Sequence, residues 1–221
     1  MNTKNIYLFG HGDEAMIVSD IIDNNPNLNL CGFFELYDDK LKFISIDGKI
    51  FENVDLNNYL IETNFFCIAI GFNYDRFLIH KFLTTRYPNI LFTSIISDTA
   101  KIRSNVSIGE GCIIHDNVYI NRGTVIGKHC IINNNSSIDH DCTWDDFSSC
   151  GPVVVTGGRI HVGALSYIGM SSVVLQRRII GSSVVIGAKS FVNISCEKNS
   201  LYFGTGIKFI KKIPHNFNYY N

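Results

Sequence analysis

The chain has 221 residues, enough for one large or two modest domains. Hydrophobic residues make up 46% and charged residues 18%, an ordinary balance for a globular chain, and no run approaches the ~20 apolar residues of a membrane span. A formal net charge of −1, without any stripe of basic and aromatic residues, gives no electrostatic basis for nucleic-acid binding.

The N-terminal residues MNTKNIYLFGHGDEA lack a long apolar run and a small-residue cleavage site, so they do not read as a secretory signal. Asn5–Phe9 is a short apolar strand that runs into Gly10-His-Gly12-Asp-Glu-Ala15. An amphipathic helix follows, with Ala15, Ile17, Val18, Ile21 and Ile22 on its apolar side, ending at Asn24-Asn25-Pro26. Leu30–Phe34 is the next strand, closed by Glu35 and the polar turn Tyr37-Asp38-Asp39-Lys40. Residues 43–62 fit either a short strand or a loop, followed by a weak helical turn. Phe65–Ile70 is a buried strand stopped by Gly71, Tyr74–Tyr87 has helical spacing, and Ile90–Phe92 could be a last strand. The pattern predicts a small parallel α/β sheet over residues 1–92. Its Gly10-x-Gly12 turn lies where backbone N–H groups at a helix N-terminus take a phosphate. The same turn also fits simple tight packing of strand against helix. Only Glu35 is placed to hold a ribose, and the sheet is about half a dinucleotide-binding domain, which suits a nucleotide-linked sugar better than a nicotinamide dinucleotide.

From residue 93 the pattern changes. Every sixth residue from Ile96 to Val192 is Ile or Val at fourteen of seventeen positions, with Trp144, Cys150 and Thr156 as the others. Four residues after each lies a small or modest side chain, Arg178 being the misfit, and eight glycines follow directly on the aliphatic position. A period of six fits neither helix nor long strand but a parallel β-helix of three walls per coil. The aliphatic residue points inward, where its stiff side chain suits a pleated wall. The glycines are expected to take corner dihedrals that other residues resist. Cys112, Cys130 and Cys142 fall on inward positions and read as apolar fillers in a reducing, cytoplasmic compartment. The period runs through residues 93–192 and fails beyond, leaving a C-terminal tail over 193–221.

The hexad repeat resembles that of the hexapeptide-repeat acyltransferases, and the acyl transfer from a thioester that this resemblance implies needs a base that titrates near neutrality, oxyanion donors and a groove for the donor. His115, His129, His140 and His161 are placed at outward positions of the prism by the register. His140 stands apart because Asp139 and Asp141 flank it and can orient its ring. One coil above lies Gly157-Gly158, backbone without side chains, with room for a thioester and an N–H to offer. The alternative is a solvated or interface histidine. The four histidines contain no pair five apart, which argues against a shared zinc. Lys208, Lys211 and Lys212 are either donor-phosphate contacts or a solvated tail.

Three stretches carry a family resemblance: Leu8-Phe-Gly10-His-Gly12-Asp-Glu-Ala15, Ala69-Ile-Gly71-Phe-Asn73-Tyr-Asp-Arg76, and Ser137-Ile-Asp139-His140-Asp141-Cys142 with Phe147-Ser148. Over Gly10 to Lys208 the chain resembles hexapeptide-repeat sugar acetyltransferases, which include N-acetyltransferases of nucleotide-linked 4-amino-4,6-dideoxy sugars (the bacillosamine pathway is one source) and sialic acid O-acetyltransferases. The resemblance implies a Rossmann-like α/β half domain followed by an all-β left-handed parallel β-helix. It implies an acetyl-CoA-dependent N-acetyltransferase of a nucleotide-linked amino sugar, acting as a homotrimer without a metal. His140 would be the general base, Asp141 its acidic partner and Gly158 the donor facing the acetyl carbonyl, with Lys208 at the CoA phosphates. Gly10, Gly12, Glu35, Gly71, Asn73 and Arg76 would hold the nucleotide sugar. Ser149, Val153-Val154 and Gly206 depart from the family pattern, at positions where many members carry a second His, Gly-Ala and Pro. The other readings are O-acetylation of a sialic-acid-type sugar and a non-catalytic trimeric scaffold or sugar-nucleotide sensor.

Overall fold

The computed structural model, which describes residues 3–219, begins with β1 (Lys4–Phe9), α1 (Asp13–Asp23), β2 (Leu28–Tyr37), β3 (Lys40–Ser45), β4 (Ile50–Phe51), β5 (Asn64–Ile68) and α2 (Asn73–Arg86). These strands form one sheet in the order β4-β3-β2-β1-β5. β1 pairs in parallel with β2 and β5, whereas β2–β3 and β3–β4 are antiparallel, so the sheet is mixed and not purely parallel as the sequence suggested. The difference comes from Asp38 and Asp39, which both adopt positive φ (44° and 56°). Two successive left-handed residues make the tight turn that matches strand twist in a hairpin, and Asp tolerates that conformation. Ile90–Phe92 adds only one bridge, from Phe92 to Phe66.

Seventeen two-residue strands then wind into a triangular prism of just under six coils. The first wall stacks Ile95–Ile96, Ile113–Ile114, Ile131–Ile132, Ser149–Cys150, Tyr167–Ile168 and Val185–Ile186. The second carries Ser137–Ile138 between Tyr119–Ile120 and Val155–Thr156, and the third carries Thr143–Trp144 between Val125–Ile126 and His161–Val162. Every pairing in the prism is parallel and in register at eighteen residues, for example Ile131 with Ser149 and Ile113. The hexad aliphatics from Ile114 to Val192 make one continuous buried core.

The corners do not use glycine as the sequence suggested. From Ile102 to Ile186 each corner places a left-handed residue three after the inward position; it is glycine only at Gly111 and Gly123, and Asn105, Asn117, His129, Asn135, Asp141, Phe147, Val153 and Arg159 all have φ between 53° and 61°. The repeated glycines have ordinary φ but no room. A Cβ on Gly157 would lie 2.6 Å from the Gln176 backbone N, and one on Gly163 2.5 Å from that of Ser182. Those glycines permit close approach of the next coil and are not there for dihedral freedom.

The N-terminal domain sits on the first wall. Ile6, Leu8, Val18, Ile22 and Cys67 share one core with Ile95, Ile113 and Ile131, whose side chains face out of the prism. Arg76 locks the seam. It is fully buried and donates to the carbonyls of Ile70 (2.6 Å), Gly71 (3.0 Å), His129 (2.8 Å) and Phe147 (3.4 Å) and to Asn73 Oδ1 (2.8 Å). Asn73 in turn donates to the Ser166 carbonyl at 3.0 Å and accepts from Ser149 Oγ at 2.6 Å. His115, only 3% exposed, bonds Glu14 Oε1 through Nε2 at 2.9 Å. Beyond the hexads, Ser200–Phe203 extends the first wall and Lys208–Lys212 turns back antiparallel beside it. Tyr219 then stacks on Tyr167 (4.1 Å between centroids) and accepts from the Asn73 backbone N–H, so the tail ties prism and N-terminal domain together. Residues 220 and 221 of that tail lie outside the described residues. No described helix is long and apolar enough to cross a membrane.

Candidate active site

The corner between the second and third walls carries the sequence Asp139-His140-Asp141-Cys142, and its geometry follows from the ladder. Asp139 is a brace: its Oδ1 accepts from the His140 backbone N–H (2.7 Å) and from Asn121 Nδ2 one coil below (3.0 Å). Asp141 takes the left-handed corner conformation, φ 55°, and this brings its Oδ2 to 2.9 Å from His140 Nδ1. The hydrogen bond from His140, helped by the charges of His140, Arg159 and Arg122, holds the Asp141 carboxyl below the usual range. An ionised carboxylate only accepts, so Nδ1 carries a proton, and in the neutral ring Nε2 is the nitrogen that presents a lone pair.

That Nε2 lies over Gly158, where a Cβ would come within 2.5 Å of it. The glycine matters in a second way. At the same ladder position one and two coils below, the N–H groups of His140 and Arg122 are taken by the side-chain oxygen of the preceding residue, Asp139 and Asn121. Before Gly158 stands Gly157, which has no side chain to offer. Among the described residues the Gly158 N–H has no acceptor. A basic nitrogen and an uncommitted donor therefore line one open cavity of about 620 Å³, walled also by Arg159, Gln176, Arg177 and Arg178.

A second cavity, about 380 Å³, opens at the carboxyl ends of β1, β2 and β5. β1 has a parallel neighbour on each side there, and such crossover points are where open α/β sheets bind ligands. Gly10, Gly12, Glu35 and Gly71 all line it, as does His11. Gly10 has φ 112° and no room for a side chain, since a Cβ would meet the Ala69 carbonyl oxygen at 2.7 Å. Gly12, just before α1, has nothing within 4 Å of a built Cβ, so the chain itself does not require glycine there.

Other candidates are placed differently. Asn73 and Arg76, grouped in the sequence with the nucleotide contacts, line neither cavity because their polar atoms are spent on the seam between domain and prism. Ser149 belongs to that seam as well. Lys208 sits on the exposed edge strand of the tail, away from both cavities, while Lys212 pairs with Glu197 at 2.9 Å and Lys211 lies over Phe217. His115 and His129 do point out of the prism, but the N-terminal domain covers them, His115 against Glu14 and His129 against His80 and Phe92, so neither reaches an open groove. His161 bonds Asp145 Oδ2 at 2.9 Å on the third wall. Sequence reasoning missed Asp139 as a brace and the arginines above His140; the sign available was the run Gln176-Arg177-Arg178 lying eighteen residues above Gly158-Arg159.

His129 makes a measurable pH dependence. It is fully buried, stacked on Phe147 at 5.1 Å and edge-on to His80 at 4.5 Å, and neither ring nitrogen has a partner among the described residues. Burial, then the nearby charges of His80, Arg76 and Lys128, lowers its pKa to about 3. A histidine that resists protonation when folded contributes stability in full above its unfolded value of about 6.5 and loses it as pH falls from there toward 3, by order 1 kcal/mol per pH unit. His129→Phe fits the ladder, since Phe147 occupies the equivalent corner one coil above with φ 60°. Denaturant midpoints measured between pH 7 and 4 should decline less steeply in that variant than in the wild type; equal slopes would remove His129 from the acid response.

Residues 5–83 match the PglD N-terminal domain family. No curated protein matches the sequence. Among solved structures, PerB from Caulobacter crescentus in complex with CoA and GDP-perosamine is similar at TM-score 0.80 and 21% identity, covering 94% of this chain and 98% of that one. The acetyltransferase domain of PglB from Neisseria gonorrhoeae in complex with acetyl coenzyme A gives 0.79 and 21%, covering 95% and 100%. WeeI from Acinetobacter baumannii gives 0.74 and 21%, covering 94% and 100%. The likeness spans both domains, and the fold is the Rossmann-like half domain plus left-handed β-helix that the sequence resemblance implied.

Proposed function

We propose that the protein is an acetyl-CoA-dependent N-acetyltransferase acting on a nucleotide-linked amino sugar. The observation that carries this reading is the pairing of His140 Nε2 with the unbonded Gly158 N–H in one cavity. The amine attacks the thioester carbonyl while Nε2 takes its proton, Asp141 steadies the resulting imidazolium, and the Gly158 N–H supports the developing oxyanion. Transfer is direct, because no Ser or Cys is hydrogen-bonded to His140 through its side chain among the described residues. Two structures similar to this chain hold CoA with GDP-perosamine and acetyl coenzyme A, which supports CoA as the donor and an amino-sugar nucleotide as the acceptor.

The nucleotide belongs to the cavity lined by Gly10, Gly12, Glu35 and Gly71. That cavity lies on the N-terminal domain, which packs on the first wall and on the corner of His129 and Phe147, whereas His140 stands on the corner between the other two walls. An acceptor held by one chain is therefore presented to a neighbour's His140, and this supports a homotrimer. Colorimetric thiol release from acetyl-CoA with nucleotide-linked 4-amino sugars tests the reading directly. Turnover with the amines and none with their 4-hydroxy counterparts is expected; turnover only with hydroxyl acceptors, sialic acid among them, would make it an O-acetyltransferase. The nucleotide site has its own check. Gly12→Ala should leave the melting temperature within a degree or two, since no protein atom opposes the methyl, yet weaken nucleotide binding about tenfold or more by blocking backbone approach. Unchanged affinity by calorimetry would move the nucleotide elsewhere.

A further inference from the structure

Arg178 breaks the packing rule of the prism. It stands on an inward position of the hexad, above Cys142 and Ile160 in the same column, where the interior takes small or apolar residues. The core cannot hold a guanidinium, so the side chain leaves it half-buried, with Nε stranded without a partner among the described residues. A stranded charged donor costs stability. Arg178 lines the cavity that holds His140, beside Arg177 and Gln176. Neither Arg177 nor Arg178 has a carboxylate within 4.0 Å among the described residues, whereas Arg159 in the same cavity already lies 3.5 Å from Asp141 Oδ2. The backbone below the arginines is bare Gly157-Gly158, so a groove runs along the prism axis from Nε2, level with Gly158, to the arginine pair one coil above, about 5 Å at the usual strand spacing. The nucleotide cavity, by contrast, is lined by Asp13, Glu14 and Glu35 and by no Lys or Arg.

We infer that Arg177 and Arg178 form a diphosphate-binding site at the upper end of the His140 groove. Two planar guanidinium groups free of carboxylates, opening on a groove whose lower end is the proposed base, suit a phosphate chain better than a neutral or cationic group. Within the proposed reaction, on which this assignment rests, two ligands carry that chemistry: the CoA donor and the nucleotide of the acceptor.

Arg178→Ala is a safe variant because a small residue obeys the hexad rule, so its melting temperature should equal or exceed that of the wild type. Calorimetric titration of the purified full chain with inorganic pyrophosphate, CoA, acetyl-pantetheine and a nucleoside diphosphate then decides the matter. The expected result is a loss of tenfold or more in pyrophosphate affinity in Arg178→Ala and in Arg177→Ala, partly restored in Arg178→Lys. A parallel loss for CoA but not for acetyl-pantetheine assigns the site to the donor, and a parallel loss for the nucleoside diphosphate assigns it to the acceptor. Pyrophosphate that binds wild type and both alanine variants alike, or binds none of them, overturns the site. Arginine-dependent pyrophosphate binding with no affinity for CoA or nucleotide would leave the site standing and sink the acetyltransfer reading instead.

Discussion

Replacing His140 by Asn should lower the rate of acetyl transfer by about 10²- to 10⁴-fold, the range a positioned general base contributes, while leaving affinity for CoA within a few-fold. The reason is local. Asn cannot accept a proton near neutrality, yet it nearly matches the imidazole in reach, and nothing in the fold rests on the ring except its bond to Asp141. The His140 side chain is 37% exposed, so the melting temperature should scarcely move. Gly158→Ala should cost a similar factor by another route, because its Cβ would occupy the space of Nε2 and push the ring aside. Single-turnover rates across these variants make the check. An Asn variant that transfers acetyl at the wild-type rate would leave the groove without a base.

Arg76→Ala should be the most destabilising single change away from the groove, about 3–5 kcal/mol by denaturant unfolding. The guanidinium is fully buried with no carboxylate within 4.0 Å among the described residues, so its charge is solvated entirely by four carbonyls and one amide oxygen. Truncation leaves those acceptors unpaired beside a cavity the size of an arginine, at the joint between α2 and the prism. The loss should appear as earlier proteolysis of the N-terminal domain, with the prism itself still folded. A melting temperature within two degrees of the wild type would refute this account of the seam.

How far the fold could be read in advance depended on how local its causes are. The six-residue period needs only neighbours within one coil, and every hexad from Ile96 to Val192 kept its register in the structure. That His140 and Gly158 would lie side by side was legible for the same reason, since eighteen residues along the chain means one strand spacing in space. What the period cannot say is which outer faces are covered. The doubled isoleucines Ile95-Ile96, Ile113-Ile114 and Ile131-Ile132 put one side chain in and one out, and the outward members mark the docking face of the N-terminal domain. Yet Ile179-Ile180 has the same form, and Ile179 remains 57% exposed, so the doublet alone does not separate covered from open. Arg76 and Asn73 were misplaced for a related reason: a polar motif at the start of a helix looks alike whether it meets a ligand or the carbonyls of a second domain. The β2–β3 hairpin was hidden because Asp38-Asp39 reaches left-handed dihedrals that sequence usually advertises with glycine.

The in-register stacking has an evolutionary corollary. Because vertical neighbours are separated by eighteen residues throughout, the prism tolerates editing only in whole turns: excising a complete coil above Arg178 would shorten the column and keep the imidazole facing its glycine, whereas losing one residue between His140 and Gly158 would turn every later side chain inside out. Lineages descended from this chain should therefore differ in column height by full coils, with any odd-length insertions confined to the corners.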